Sequence, residues 1–185
     1  MNYCNGANLV IMAQRYCDIP MSVITSSPFN LVQDALIKVS VFAINSIGSG
    51  LPSSYNTIGV RAQTPPHKPP TAPTRNAATS QATVHVDYAL LTTPATGGST
   101  ILSLQLQWDA GTSGATWTTL IGFSPYSTTQ TMSISGAQII TGRVYKFRYR
   151  AFNIHGWGAY SDAADILAAS SPSPMNAVVT TLVGV

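Results

Sequence analysis

The fold of this chain is decided by one stretch, which reads Tyr145-Lys-Phe-Arg-Tyr-Arg-Ala-Phe-Asn-Ile-His-Gly-Trp-Gly-Ala-Tyr-Ser161. In its first half apolar and basic side chains alternate, so Tyr145 and Phe147 lie on one face while Arg148 and Arg150 lie on the other. A period of two predicts an antiparallel β-strand with one buried face and one solvated face. The glycines that follow predict a turn into another strand.

Two earlier runs show the same alternation. Val84, Val86 and Tyr88 alternate with polar residues. Leu104 and Trp108 lie on the apolar face of a second run that alternates in the same way. Turn signals rich in Gly, Pro, Ser and Thr separate the runs, at residues 92–98, 111–114 and 124–125. Short strands at this spacing predict an all-β fold, and no stretch has the period of a convincing amphipathic helix.

The composition excludes several classes of protein. Only 8% of the 185 residues are charged, and all six acidic residues are Asp, so a helical bundle with a Glu- and Lys-rich surface is excluded. The 45% hydrophobic content is too high for a disordered tail. No long apolar run predicts a membrane span, and a net charge of +3 is too weak to indicate nucleic acid. We also expect no cofactor.

An internal repeat organises the chain. Residues 31–50 resemble residues 139–158 at a constant offset of 108 residues, and the coincident positions include two Gly pairs. Upstream, Met21–Val23 matches Met132–Ile134 with a small gap. Identical residues in the aligned stretches are Lys38 and Lys146, Ala43 and Ala151, Asn45 and Asn153, Gly48 and Gly156, and Gly50 and Gly158.

Proline-rich segments mark the domain boundaries. Residues 64–74 hold five prolines, which remove backbone donors and favour an extended linker, and residues 170–174 are a shorter candidate. Residues 174–185 resemble residues 73–84, the opening of the preceding unit. The sequence therefore predicts a partial domain at 1–66, a complete domain at 67–174 and the opening strand of a further repeat, or an exchanged strand, at 175–185.

The stretch 145–161 resembles the late strand and following loop of fibronectin type III domains, which often read Tyr-x-Phe-Arg-Val-x-Ala-x-Asn-x-x-Gly-x-Gly-x-x-Ser. Residues 97–101, Gly-Gly-Ser-Thr-Ile, resemble the family's turn into its third strand. The resemblance implies tandem immunoglobulin-like β-sandwiches, the first one incomplete, with Tyr145 as the tyrosine corner. Two positions depart from the family pattern: Tyr88 stands where the family has a Trp, and Ile37 stands at the corner position of the first copy.

The partial repeats predicted at residues 1–66 and 175–185 suggest how the chain associates. One hypothesis is a plain segment of a longer tandem array, in which neighbouring repeats of the same chain are the partners. The other is exchange of the final strand between copies, which would satisfy an open sheet edge and propagate head to tail. The candidate assembly residues are Leu9, Val10, Ile11, Met12, Ala177, Val178, Val179, Leu182 and Val183.

Cys4 and Cys17 are the two cysteines of the chain. Two cysteines in a chain with a secreted type of composition favour one disulfide, which would stabilise the start of the incomplete domain. Free buried thiols are the main alternative. Metal binding is disfavoured because the chain has no Cys-x-x-Cys motif and no paired His spacing.

Other candidate site residues are surface features. Asn153, His155 and Trp157 could contact a partner from the loop after the strand, although a turn with Trp157 packed beside the sheet is the simpler interpretation. Lys146, Arg148 and Arg150 could bind acidic glycans but are more often a solvated face. Hydroxyl groups near prolines are candidate O-glycosylation sites, namely Thr64, Thr71, Thr74, Thr92, Thr93, Ser171 and Ser173.

The sequence favours a structural protein over an enzyme. The six Asp residues show no pairing typical of glycoside hydrolysis or calcium binding, and no strand–turn–helix motif presents a nucleophile. We therefore expect a non-enzymatic extracellular or cell-surface protein whose repeats form a fibre or filament. The alternatives are an adhesion or receptor ectodomain that binds through its loops, and an accessory segment of a secreted glycosidase.

Overall fold

The computed structural model describes residues 4–172 and 174–180. Within them the chain forms two short helices followed by eight strands. The helices are α1 (Leu9–Gln14) and α2 (Met21–Ile24). The strands are β1 (Thr74–Arg75), β2 (Thr83–Asp87), β3 (Ser103–Trp108), β4 (Thr118–Ile121), β5 (Thr131–Ser135), β6 (Val144–Asn153), β7 (Gly156–Trp157) and β8 (Ala164–Leu167).

Residues 74–167 form two antiparallel sheets that pack face to face. One sheet has the order β1-β2-β5. The other has the order β4-β3-β6-β7, and β8 also pairs with β6. The register places Val84 opposite Ile134 in the first sheet and Leu104 opposite Ala151 in the second. This is the all-β sandwich that the alternating pattern predicts.

The core cluster lies between the two sheets, and in the described part of the chain all its members fall within residues 84–168. The predicted inward faces of β2, β3 and β6 supply most of it, because alternate side chains of a strand point to opposite faces. Each member is at most 9% exposed, and the members are Val84, Val86, Tyr88, Leu91, Leu104, Leu106, Trp108, Ile134, Ile139, Tyr145, Phe147, Tyr149, Ala151, Ile166 and Ala168.

Two buried polar side chains fix the loops beside β6. The hydroxyl of Tyr145 donates to the carbonyl of Gln138 at 2.9 Å and accepts from the N–H of Ile140 at 2.8 Å, which is the arrangement predicted for the tyrosine corner. The carboxylate of Asp109 is 1% exposed and accepts from three backbone N–H groups, those of Gly111, Gly114 and Lys146. The sequence analysis, which found no pairing among the six Asp residues, did not predict this role of Asp109.

Residues 4–34 are organised differently from the expected strands. Helix α1 begins after Asn8, whose side chain accepts from the N–H of Val10, and α2 occupies the residues that were matched to strand β5. The sequence shows no convincing amphipathic helix, yet two short helices lie here. Neither helix is longer than six residues, and a helix this short shows too little periodicity to be found from sequence.

The predicted disulfide joins Cys4 to Cys17, with the two Cα atoms 5.4 Å apart. It closes a loop that contains α1 and leaves no free cysteine among the described residues. No residue of α1 is buried. The covalent link is therefore the main constraint on this segment.

Residues 36–61 form an irregular antiparallel hairpin, here called the first hairpin. Its backbone bridges join Leu36 to Arg61 and Ile44 to Ser49. Between them the side-chain amide of Asn56 accepts from the N–H of Val39 at 2.7 Å and donates to a backbone carbonyl. Side chains thus replace part of the regular ladder.

Hydrogen bonds of the first hairpin recur, 108 residues later, in the hairpin formed by β6, β7 and β8. The N–H of Gly50 donates to the carbonyl of Ala43 at 2.8 Å, and the N–H of Gly158 donates to that of Ala151 at 2.9 Å. The shared geometry follows the internal repeat of the sequence.

Ser53 and Ser161 repeat a second arrangement. Each serine donates its N–H to the opposite strand, to Val41 at 2.8 Å and to Tyr149 at 2.7 Å. Each hydroxyl oxygen also accepts the N–H of that same residue, at 3.0 Å and 3.1 Å. The final Ser of the quoted motif is therefore a structural residue in both copies.

The linker before the sandwich is bonded to it rather than detached. The N–H of Thr64 donates to the carbonyl of Gly97 at 2.9 Å, and the amide of Asn153 donates to the carbonyl of Thr64 at the same distance. Gly158 lies so close to the carbonyl group of Pro66 that a Cβ would overlap it. The linker therefore runs along the β6–β7 end of the sandwich.

Candidate functional site

The first hairpin presents apolar side chains to solvent on both faces. Val39 and Val41 are 54% and 71% exposed, whereas Phe147 and Tyr149, at the corresponding positions of β6, are 0% and 1% exposed. In the sandwich the sheet β1-β2-β5 covers those positions. Among the described residues no third strand pairs with the first hairpin. The face of the first hairpin that corresponds to the buried face of β6 is therefore uncovered.

The opposite face of the first hairpin and its tips are apolar as well. Large exposed apolar residues in this number are typical of interaction surfaces. The large apolar residues of the hairpin that are more than half exposed are Val39, Val41, Phe42, Ile44, Ile47, Leu51, Tyr55, Ile58 and Val60.

The two predicted assembly ends are both accessible where they are described. In the first, Leu9, Val10 and Met12 are exposed on α1 and Ile11 is half-buried. In the second, the described part lies outside helices and strands and is exposed, at Ala177, Val178 and Val179. Leu182 and Val183 lie outside the described residues. The structure leaves both ends available for a contact with another molecule.

A second feature is a stack of arginine and aromatic side chains on the outer face of β6. The guanidinium of Arg148 lies 4.0 Å from the ring centre of Trp117 and 4.1 Å from that of Tyr160. The guanidinium of Arg150 lies 4.5 Å from Tyr160 and 4.7 Å from Trp157. We call this the arginine–aromatic ladder. Each cation lies over two aromatic rings, which is an attractive geometry.

Further aromatic rings extend the ladder at the end nearest Trp157. The rings of Trp157 and Phe152 are 4.8 Å apart, and those of Phe152 and Tyr126 are 4.9 Å apart. Phe123 and Tyr126 are both more than half exposed, and with the two residues between them they line a cleft of about 310 Å³. The ladder therefore ends beside an accessible cleft whose lining includes two exposed aromatic rings.

Amide side chains of β3 hold the two arginines in position. Gln105 accepts from Nε of Arg150 at 2.7 Å and from the hydroxyl of Tyr160 at 3.0 Å. Gln107 accepts from Nε and Nη2 of Arg148 at 3.1 Å and 2.9 Å. These pairs follow from the register, in which Gln105 faces Arg150 and Gln107 faces Arg148.

The ladder changes the electrostatics of its arginines. Burial lowers the pKa of Arg148 from its ordinary value, the neighbouring Tyr160 opposes that shift, and the charge of Arg150 adds to it. The basic residues are expected on a solvated face, but Arg148 and Arg150 are only partly exposed, and each guanidinium lies over two aromatic rings. Trp117 comes from a segment distant in sequence, whereas Trp157 and Tyr160 belong to the stretch 145–161 itself.

The three residues predicted as loop contacts have different environments. Asn153 is fully buried and bonded to Thr64, Thr96 and His155, so it is not an accessible contact. Trp157 belongs to the ladder and packs beside the sheet, as the simpler interpretation predicted. His155 is exposed and lies 3.0 Å from the side-chain oxygen of Gln63.

The candidate O-glycosylation residues differ in accessibility. The hydroxyl of Thr64 is buried, so the prediction is wrong at that position. Ser173 lies outside the described residues. The remaining candidates are exposed, at Thr71, Thr74, Thr92, Thr93 and Ser171.

The acidic residues do not converge in the described part of the chain. Asp34, Asp162 and Asp165 pair with Arg61, Lys68 and Lys146 respectively. No group of three or more His, Cys, Asp or Glu side chains in residues 4–172 and 174–180 is placed to hold a metal ion. None of the described helices is long and apolar enough to cross a membrane.

The chain is similar to solved structures of other proteins. No family model matches the chain, and no curated protein matches it. A crystal structure of domains from titin is similar with a TM-score of 0.47 and 16% identity, over 68% of this chain; the chain spans 38% of that titin chain.

Two further neighbours are described as fibronectin domains. The sixth fibronectin type III domain from human fibronectin type III domain containing protein 3 has a TM-score of 0.44 and 17% identity, over 66% of this chain and 100% of its own. The chicken CNTN1 FN1–FN3 structure has a TM-score of 0.48 and 18% identity, over 73% and 44%. The strand order and the Tyr145 hydrogen bonds give the sandwich of this chain a fibronectin type III-like fold.

Proposed function

We propose that this chain is a non-enzymatic extracellular structural module that assembles with copies of itself through the first hairpin. One observation carries the proposal. The hairpin has the hydrogen bonds of the β6–β8 hairpin, yet the positions that are buried in β6 are uncovered at Val39 and Val41. Burying such residues is favourable by roughly 1.5–3 kcal/mol for each large apolar side chain. A covering polypeptide therefore gains a large driving force.

The occupant that we propose is the tail, residues 174–185, of a second copy. Residues 174–185 carry no charged side chain, and Met175, Val178 and Val179 are exposed. Their sequence resembles residues 73–84, which contain β1 of the sandwich. The apolar tail of one copy would contact the apolar hairpin of the next, so the two contacting surfaces differ. Such a heterologous contact builds an open filament when the rotation between copies does not close a ring.

Two features support an extracellular setting for this module. The Cys4–Cys17 disulfide is typical of proteins from oxidising compartments. The low charge of the chain leaves few ionic groups for solubility, and O-linked glycans at exposed hydroxyls such as Thr71 and Thr92 would supply polar surface. Neighbouring repeats of a longer chain would use the same apolar contact in cis.

Deleting residues 175–185 tests the assembly. We expect filaments or higher oligomers of the full chain in negative-stain electron microscopy and sedimentation velocity, and monomers after the deletion. Adding the deleted segment as a synthetic peptide should restore cover to the hairpin and slow hydrogen exchange of its amides. Unchanged assembly after the deletion would contradict the proposed occupant.

A matched pair of substitutions tests whether assembly depends on the first hairpin or on exposed apolar side chains in general. Val41→Asp places a charge on the uncovered face, whereas Ile154→Asp places the same charge on a turn of the sandwich; the two parent side chains are 71% and 69% exposed. We expect Val41→Asp to raise the critical concentration for assembly at least tenfold and Ile154→Asp to change it less than twofold. Equal effects of the two variants would contradict the role of the hairpin.

A further inference from the structure

The arginine–aromatic ladder carries positive charge that no carboxylate of the described residues neutralises. The three ion pairs of the described part involve Arg61, Lys68 and Lys146, and neither Arg148 nor Arg150 has a carboxylate oxygen within 4 Å. On the same face Lys146 is paired with Asp165 at 2.6 Å. The ladder therefore presents two net positive charges.

The geometry leaves specific N–H groups of these arginines available. Nε of Arg150 is bonded to Gln105, while its two terminal nitrogens have no hydrogen-bond partner in the described structure. Arg148 donates from Nε and Nη2 to Gln107, and its Nη1 has none. Each guanidinium carbon lies over two aromatic rings, and its N–H groups, including those without a partner, lie in the guanidinium plane. Oxyanions such as carboxylates bind arginine through these in-plane N–H groups.

We propose that the ladder is a binding site for an acidic polysaccharide, a linear sugar chain that carries carboxylate or sulfate groups. The acidic groups bind the edges of Arg148 and Arg150. A neighbouring sugar ring packs its apolar C–H face on the exposed rings of Phe123 and Tyr126, in the cleft of about 310 Å³. This site is on the sandwich and does not depend on the assembly proposed for the first hairpin.

Two properties of the site favour a polysaccharide over an acidic peptide. Charge complementarity alone would accept either ligand. The ladder, however, continues from Arg150 through Trp157 and Phe152 to Tyr126 with ring separations of 4.8 Å and 4.9 Å, which offers apolar surface directly beside the cations. A sugar ring has charged or polar edges and an apolar face, so one ligand can use both parts.

Isothermal titration calorimetry on the full chain tests the site. The probes are heparin, which is sulfated, polygalacturonate, which carries carboxylates, dextran, which is neutral, and polyglutamate, an acidic peptide. We expect heparin or polygalacturonate to bind and to weaken as NaCl is raised from 50 to 500 mM, since salt screens the pairing. Binding of dextran as strong as that of the acidic sugars, or of polyglutamate as strong as both, would overturn the proposal.

Variants locate the binding on the ladder. The double substitution Arg148→Gln with Arg150→Gln should reduce affinity at least tenfold, and Tyr126→Ala should reduce affinity for the acidic sugars at least threefold. Arg15→Gln is the matched control, because Arg15 is an exposed arginine beyond α1, and it should change affinity less than twofold. Equal affinity of the double variant and the control would overturn the proposal.

A second charge-conserving variant covers the case in which the double variant does not fold. Arg148→Lys with Arg150→Lys keeps both charges but removes the planar edges and the Nε hydrogen bonds to Gln105 and Gln107. Circular dichroism verifies the fold of every variant. A folded lysine variant that keeps full affinity would show that the fixed edges are not used, and would also overturn the site as described.

Discussion

At the scale of single residues, the hydroxyl of Tyr145 is predicted to stabilise the sandwich. It makes two hydrogen bonds, to Gln138 and from Ile140, in a fully buried site. Tyr145→Phe removes both bonds and leaves a carbonyl and an N–H without that partner. We expect the free energy of unfolding in urea to fall by about 1–3 kcal/mol, with the same denaturant slope as the parent.

Tyr88→Phe is the matched control for this prediction. The hydroxyl of Tyr88 is also buried but has no hydrogen-bond partner, and burial raises the pKa of Tyr88 to about 12. Removing an unsatisfied hydroxyl removes a desolvation penalty, so we expect the stability to stay the same or to rise. A loss for Tyr88→Phe as large as that for Tyr145→Phe would contradict the assigned role of the corner bonds.

Sequence could predict Tyr145 but not the partners of Arg148. Tyr145 belongs to a local pattern of alternating residues and a family motif, and both of its bonds are made within seven residues. The ladder joins Arg148 to Trp117, which precedes β4 and is brought near by the pairing of β3 with β4 and β6. That long-range register is not visible in one sequence. The ladder also joins Arg148 to Tyr160, which lies between β7 and β8; alternation assigns Arg148 to the outer face but does not show that the segment after β7 packs over it.

At the scale of elements, Gly158 is predicted to hold the linker against the sandwich. Sequence analysis assigned this glycine to the turn, but only Gly156 has a positive φ there, of 125°. A Cβ at Gly158 would instead overlap the carbonyl of Pro66. We expect Gly158→Ala to reduce the free energy of unfolding by roughly 1–3 kcal/mol, as overpacking does, and to speed tryptic cleavage after Arg61.

Gly6→Ala is the control for the linker. A Cβ at Gly6 meets nothing within 4 Å, and this residue lies in the disulfide loop far along the chain from Pro66. We expect unchanged stability and unchanged cleavage after Arg61. If Gly158→Ala behaves like Gly6→Ala, the linker moves freely enough to admit a methyl group and the close contact is not a constraint.

The strands of the sandwich were predictable as elements, whereas the first segment was not. In β2, β3 and β6 a buried face imposes strict alternation over five to ten residues. Helices α1 and α2 bury only Ile24 between them, so no packing demand imposes a pattern on their sequence. The first hairpin kept the repeat signal because its turn uses the same asparagine hydrogen bond as the β6–β7 turn: Asn45 accepts from the N–H of Ile47, and Asn153 accepts from the N–H of His155.

At the scale of the whole molecule, the distribution of the core predicts that the sandwich folds alone. Every member of the core cluster lies within residues 84–168, and the disulfide lies outside it. We expect a fragment of residues 64–172 to be monomeric and to unfold cooperatively, with a Tm within a few degrees of the main transition of the full chain. The measurement is differential scanning calorimetry with near-ultraviolet circular dichroism.

Residue 64 is the chosen start because the linker contributes bonds of its own. Thr64 accepts from the buried amide of Asn153, which would otherwise have one unsatisfied donor. A fragment that begins at residue 70 should therefore lose about 1–3 kcal/mol relative to one that begins at residue 64. An unfolded 64–172 fragment would show that the first segment is part of the cooperative unit. Removal of the exposed hairpin should also raise solubility, because its apolar surface is then absent.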